Sequence, residues 1–308
     1  MAKTAPQRIK TITEFHRFRG LPPAEHPLIS VVDYASVRNS PSNNRLSWVL
    51  DFYSISLKRT SNAKIKYGQG EYDFDEGVMF FMAPGQVFSI TVDERSTAGS
   101  QHSGWILLVH PDFFRNSSLA KTIREYEYFG YAVNEALFLS EKEELTVNGI
   151  VESIRQEYHA NIDGFSQDLI IAQIGLLLTY ADRFYHRQFI TRKIANHRVL
   201  ERLETILADC FSSDQLAKKG LPTVQFIAAE LNISPGYLSS LLKVLTGQST
   251  QQHIHNKLIE KAKERLSTTR LTVSEIAYEL GFEHPQSFSK FFRAKTSFAP
   301  LEFRQNFN

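Results

Sequence analysis

Cysteine is almost absent from this 308-residue chain: Cys210 is its only one. That excludes internal disulfides and any zinc site built from several thiolates. Long apolar runs are absent as well. The greasiest stretch, 169–181, is interrupted by Gln173 and Thr179 and is too short for ~30 Å of hydrocarbon. The first residues carry no apolar signal segment, so the expectation is a cytoplasmic protein with no membrane partner. A dominant charge is missing too, the net being only +2. From His197 onward 14 Lys and Arg face 11 Asp and Glu, whereas the preceding part carries 21 against 22. The small basic excess therefore sits at the C-terminal end, on the side expected for a nucleic-acid-binding part.

Catalytic and metal-binding patterns are equally scarce. No Gly-rich phosphate loop is present and no nucleophile has a visible activating partner. His102 and His110 lie on neighbouring segments without forming a His-x-His pair. His253 and His255 are two apart on an expected helix, so they point to different faces and cannot chelate together. No catalytic residue, metal ligand or cofactor is assigned, and the chain is not expected to be an enzyme. A cupin-type metalloenzyme or small-molecule-binding protein whose helical tail mediates assembly is the alternative. It would need clustered imidazoles with a carboxylate.

What is present is a pattern written twice. Val224, Ile227, Ala228 and Leu231 fall at spacings 0, 3, 4 and 7, and Val273, Ile276, Ala277 and Leu280 repeat them 49 positions later. Each set precedes a second apolar stripe: Leu238, Leu241, Leu242 and Leu245, then Phe288, Phe291 and Phe292. Such spacing puts the residues on one helix face, so each copy reads as a helix-turn-helix. Pro235 follows the capping Ser234, and Pro285 follows His284, at the position where a helix tolerates proline. Thr272 with Glu275, and Ser249 with Gln252, have capping-box spacing. The spacer helix predicted from Thr250 to Ser267 is ~27 Å long. That is near the ~34 Å between successive major-groove segments on one DNA face.

The stretch from Ile276 to Arg304 resembles the signature of the AraC/XylS family of bacterial transcription regulators. Ala277, Gly281-Phe282, Phe288, Phe292, Pro300 and Arg304 are in register. The stretch from Ile227 to Ser249 is similar to that family's first helix-turn-helix. Ser297, Lys257 and Ala299 depart from it, standing where glycine, arginine and Ser or Thr are usual. With the apolar stripes buried, the first recognition helix presents Ser234, Gly236, Tyr237, Ser239, Ser240 and Lys243 as DNA-binding candidates. The second presents Gln286, Ser287, Ser289, Lys290 and Arg293, and the family's motif points to the same positions.

Before residue 140 the pattern is that of strands. Apolar alternation runs from Trp48 to Leu57 with a slip at Tyr53, and β-rich runs follow at 65–67, 78–82, 87–92 and 105–109, broken by glycines and Pro84. These suggest an antiparallel sandwich or barrel. Helices are predicted over 145–158 and 165–184. The resemblance implies that the β part is cupin-like and that the helices pair subunits. The expected fold class is thus α+β. Residues 1–140 form a cupin-like β-rich sensing domain, 141–195 a helical dimerisation segment, and 196–308 an all-α DNA-binding domain with two helix-turn-helix units. Phe52, Phe74, Phe80, Phe81, Phe88 and Trp105 line a small-molecule pocket or form ordinary core. Arg45, Lys58, Lys64 and Lys66 hold an anion or face solvent. A homodimer centred on Leu177 is expected, in a face shared by Leu169, Ile170, Gln173, Leu176, Tyr180 and Phe184. Candidate partners are double-stranded promoter DNA, RNA polymerase and a small-molecule effector of unidentified class. The function expected is sequence-specific, effector-responsive transcription regulation, with two recognition helices in successive major grooves.

Overall fold

The computed structural model describes residues 6–37, 47–60, 65–67, 70–72, 77–89, 102–131, 135–159, 165–191, 193–212, 216 and 220–305. The chain divides into two compact units, Met1–Gln188 and Phe189–Asn308. The first is a β-sheet region with helices and the second is helical.

In the first unit, β4 (Tyr53–Thr60), β7 (Val78–Met82), β9 (His102–Val109), β2 (Ile29–Asp33) and the short β10 (Leu137–Phe138) make a five-stranded antiparallel sheet in the order β10-β7-β4-β9-β2. A three-stranded sheet joins β1 (Gln7–Ile9), β3 (Ser47–Leu50) and β8 (Val87–Ser89), with β1 parallel to β3. Strands β5 (Ile65–Tyr67) and β6 (Gly70–Tyr72) pair with each other. The slip at Tyr53 now has a cause. It falls where the chain leaves β3 and enters β4, which belongs to a different sheet.

Runs such as Val78–Met82 are continuously apolar because both faces of the larger sheet are covered. Phe80, Ile106 and Leu108 join a core with Ile9, Phe15, Trp48, Leu50 and Phe52, which includes the first helix, α1 (Ile12–Arg19). Phe81 points the other way, against Tyr128 and Tyr185 at centroid distances of 4.5 and 6.1 Å. Phe52 and Phe81 therefore do not line one pocket together, and Trp105 is buried with its indole N–H donated to Asn148. Lys58 is not on a solvated strand face. Its ammonium lies 5.1 Å from the Tyr34 ring centroid and 5.2 Å from that of Phe80. Burial, then the nearby Arg19 charge, lowers its pKa to about 8. Phe74, Arg45 and Lys64, and the side chains of Phe88 and Lys66, lie outside the described residues. Gly104 sits at φ 120°, and a Cβ there would overlap the Leu57 carbonyl oxygen across the β4–β9 pairing. Only glycine fits.

Two long helices follow, α2 (Glu141–His159) and α3 (Ser166–Thr191). Ile170, Ile174, Leu177, Leu178, Ala181 and Tyr185 of α3 are buried within the chain. This corrects the expected centre of a subunit face: Leu177 is 0 % exposed, and Ile170 and Phe184 are buried too. Phe165, Leu169, Ala172 and Leu176 form the exposed stripe instead. Near its C-terminal end α3 is clamped to β10. Arg187 donates to both Glu143 carboxylate oxygens and to the Phe138 carbonyl. The Gln188 amide accepts from the Phe138 N–H and donates to the Ala136 carbonyl, so it replaces a neighbouring strand at that edge.

The second unit comprises α4 (Lys193–Cys210), α5 (Val224–Leu231), α6 (Pro235–Thr246), α7 (Thr250–Thr268), α8 (Val273–Glu279), α9 (Pro285–Thr296) and α10 (Pro300–Gln305). One core runs through it, from Leu203 and Leu207 through Ile227, Leu238 and Leu258 to Ile276, Phe288 and Phe292. Cys210 is half-buried and packs against this core.

Candidate nucleic-acid interface

The duplicated sequence folds as two copies of one local device. In the first copy the Thr223 hydroxyl accepts the Phe226 N–H at 3.1 Å and opens α5. Asn232, at φ 57°, ends it in the left-handed region. The Ser234 hydroxyl then accepts the Tyr237 N–H at 3.2 Å, Pro235 starts α6, and Gly247 at φ 73° closes it. In the second copy Thr272 and Glu275 complete a capping box around the start of α8, and the Thr272 hydrogen bonds hold the Glu275 carboxyl below its usual pKa. Gly281 at φ 81° makes the turn, Pro285 starts α9, and Ser297 at φ 66° closes it. Asn232 and Gly281 are counterparts 49 apart, while Gly247 and Ser297 are 50 apart. The second turn thus holds one extra residue. His284 occupies the cap position but makes no side-chain capping bond.

Each recognition helix buries one side and leaves the other to solvent. Leu238, Leu241 and Leu242 of α6 are buried, as are Phe288 and Phe292 of α9. Phe291 is only half-buried, edge-on to His255 at 5.1 Å and tilted against Phe282 at 5.9 Å. Burial, then the Lys295 charge, lowers the His255 pKa, which favours the neutral imidazole there. On the open side of α9, Gln286, Ser287, Lys290 and Arg293 are exposed, and the half-buried Ser289 donates its hydroxyl to the Pro285 carbonyl. On α6 only Lys243 is fully exposed among the candidates, with Gly236, Tyr237, Ser239 and Ser240 half-buried. The expectation that Ser239 offers its hydroxyl outward is revised, since that hydroxyl hydrogen-bonds the buried Thr250 hydroxyl at 3.1 Å. The Ser234 hydroxyl is likewise spent on its cap.

Between the copies, α7 opens with the Ser249–Gln252 capping box. At 19 residues it is ~28 Å long. Its start is tied to the end of α6 by the hydrogen bond between His253 and Thr246 at 2.9 Å. Arg304 of α10 donates to the Leu266 and Leu271 carbonyls, at 3.1 and 2.7 Å, and so holds the end of α7 and the approach to α8. Sequence reasoning placed Arg304 in the signature but gave it no partner. It missed Phe189, whose ring packs edge-on against Tyr237 at 5.1 Å. The apolar series Phe184, Tyr185, Phe189 could have extended the predicted helix that far.

A family model described as a helix-turn-helix domain matches residues 227–306, which cover both recognition helices. The second unit carries an AraC-type helix-turn-helix domain. Over 94 residues, 30% of this chain, it is 32% identical to the arabinose operon regulatory protein of Escherichia coli K12, a match covering 32% of that protein. Over 139 residues, 45% of this chain, it is 31% identical to the uncharacterised HTH-type transcriptional regulator YfiF of Bacillus subtilis 168, covering 41% of it. The chain therefore spans less than half the length of these relatives. The C-terminal domain of the two-component response regulator yesN from Fusobacterium nucleatum matches 35% of the chain and 98% of its own, at 29% identity and a TM-score of 0.31. In the AraC-type domain of this chain, Ser297 takes the left-handed conformation at the position where the family usually has glycine. Ala299 brings no capping hydroxyl to α10, and its N–H is met by the Glu302 carboxylate at 2.7 Å instead. Lys257, where arginine is usual, pairs with Glu260 at 3.4 Å.

Proposed function

We propose that the protein is a sequence-specific DNA-binding transcription regulator that places α6 and α9 in successive major-groove segments of promoter DNA. The observation that carries this reading is the pair of recognition helices, each started by a proline, closed by a left-handed residue and open on one polar face, joined by a helix about as long as the groove repeat. Gln286 suits bidentate pairing with adenine and Lys290 contact with guanine. Lys243 and Arg293 are placed for phosphates, which add affinity without reading sequence. Gly236, Tyr237, Ser240 and Ser287 complete the candidate surface. On the promoter, the protein recruits or blocks RNA polymerase.

The β-sheet unit is the cupin-like sensing part, and the small-molecule effector acts there. The exposed stripe of α3 favours a homodimer. Phe165, Leu169, Ala172, Leu176 and Thr179 alternate by four and three residues, which is coiled-coil spacing for a face that meets a copy of itself. Among the described residues no helix is long and apolar enough to cross a membrane, in keeping with work in the cytoplasm. Selection of bound fragments from a genomic library, followed by titration on the recovered site, tests the proposal. Recovery of a shared motif with two half-sites about one helical turn apart supports it. Equal affinity for all fragments overturns it.

A further inference from the structure

One contact in the second unit has no counterpart in its internal repeat. Tyr237, in the first turn of α6, packs edge-on against Phe189 at a centroid distance of 5.1 Å and an interplanar angle of 75°. Phe189 belongs to α3, not to either helix-turn-helix, and is 2 % exposed. Its carbonyl accepts the buried side-chain amide of Asn196 at the start of α4. The equivalent of Tyr237 in the second copy, Ser287, is exposed and meets no such ring among the described residues. The first turn of α6 is therefore held by something outside its own repeat, while that of α9 is not.

We propose that Phe189 is a positioning residue for DNA reading, setting the Tyr237 ring and through it the sequence preference of the first recognition helix. The inference rests on the DNA-binding function proposed above. With Lys243 placed for phosphate, Ser234 used in its cap and Ser239 turned to Thr250, Tyr237 is the one large side chain left among the α6 candidates to read bases. What the first helix reads thus depends on where that one ring stands. An aromatic pair in this geometry fixes a ring by an amount equivalent to about 2- to 12-fold in an equilibrium. The two residues before Phe189 are those that clamp α3 to the 136–143 segment.

The test compares full-length wild type with Phe189→Leu, which keeps an apolar side chain of similar bulk and removes the ring, on a randomised two-half-site library. The expected result is a change of about 2- to 12-fold in base preference confined to the half-site contacted by α6, with the α9 half-site unchanged. That unchanged half-site also shows that the variant is folded. Tyr237→Leu should give the same change, and the double variant should add nothing further. Unaltered preference in Phe189→Leu, equal effects on both half-sites, or additive single changes would overturn the inference. If wild type itself selects no sequence, the functional proposal fails and this one with it. If Phe189→Leu does not fold, Tyr237→Leu and Tyr237→Phe decide: Tyr237→Phe retains the ring contact and must keep the wild-type preference that Tyr237→Leu loses, and any other pattern overturns the positioning role.

Discussion

Replacing Ser297 by glycine should stabilise the second unit, and the reverse exchange at its counterpart, Gly247→Ser, should destabilise it. Ser297 closes α9 at φ 66° and Gly247 closes α6 at φ 73°, each donating its N–H to a carbonyl four residues back, on Arg293 and Lys243. A left-handed conformation costs an L-residue about 1–2 kcal/mol. Glycine gives back about 0.5–1 kcal/mol through its greater freedom in the unfolded chain. The difference is about 0.5–1 kcal/mol at each site. Among the described residues no atom lies within 4 Å of where a Cβ at Gly247 would stand, so packing does not enter there. For a domain of this size such a difference moves the midpoint by roughly 2–4 °C. Both tryptophans, Trp48 and Trp105, belong to the first unit. Thermal unfolding of the full chain should therefore shift in far-UV circular dichroism and leave the tryptophan fluorescence transition where it was. The reasoning fails if Ser297→Gly lowers the midpoint, or if Gly247→Ser leaves it unmoved.

Gly281→Ala should cost more than Gly247→Ser in the same assay, because φ is 81° and a Cβ would stand 3.3 Å from the Gly220 Cα and the Leu216 carbonyl oxygen. Arg293→Ala should weaken binding to every sequence alike and lower the salt slope by about one. Lys290→Ala should instead relax preference at a single base position, by about 1–3 kcal/mol, and an indiscriminate loss in binding titrations would contradict that assignment. Leu176→Glu should yield a folded monomer in sedimentation, whereas Leu177→Glu buries a charge at a fully covered position and should unfold the first unit. The depressed Lys58 pKa means that the folded chain holds fewer protons than the unfolded one between about 8 and 10.5. The Lys58 contribution should therefore rise with pH across that window, and Lys58→Met should remove that part of the slope in fluorescence-monitored denaturation.

The helix-turn-helix pair was legible because its signals are local and repeated. Apolar spacing, proline at the first helical position and two capping boxes all lie within a few residues of what they fix. The strands β1 and β2 and helix α1 were not read. They are short, and they are held by distant partners such as Trp48 and Leu108. The capping box of Thr11 and Glu14 was a local signal for α1 that went unused. The buried face of α3 was misjudged for a different reason. Residues 169–178 are apolar nearly all round, so periodicity alone cannot say which side meets the sheet. Ser239 failed in the opposite sense: its place on the helix was right, and the hydroxyl of Thr250, eleven residues on, took up its hydrogen bond.

The continuity of α3 bears on how this protein can be taken apart. The division between the two compact units falls at Gln188–Phe189, inside a helix that continues to Thr191. Proteases that favour exposed loops therefore meet regular helix at the very boundary a biochemist would wish to cut. A recombinant DNA-binding fragment begun at Asn196, where the polar sequence suggests a start, would discard Phe189. It would leave the Asn196 amide without its carbonyl partner and bare one face of Tyr237 to water. Fragments begun upstream of Phe189 should be the soluble ones, and a short fragment's altered site preference would be an artefact of where the gene was trimmed.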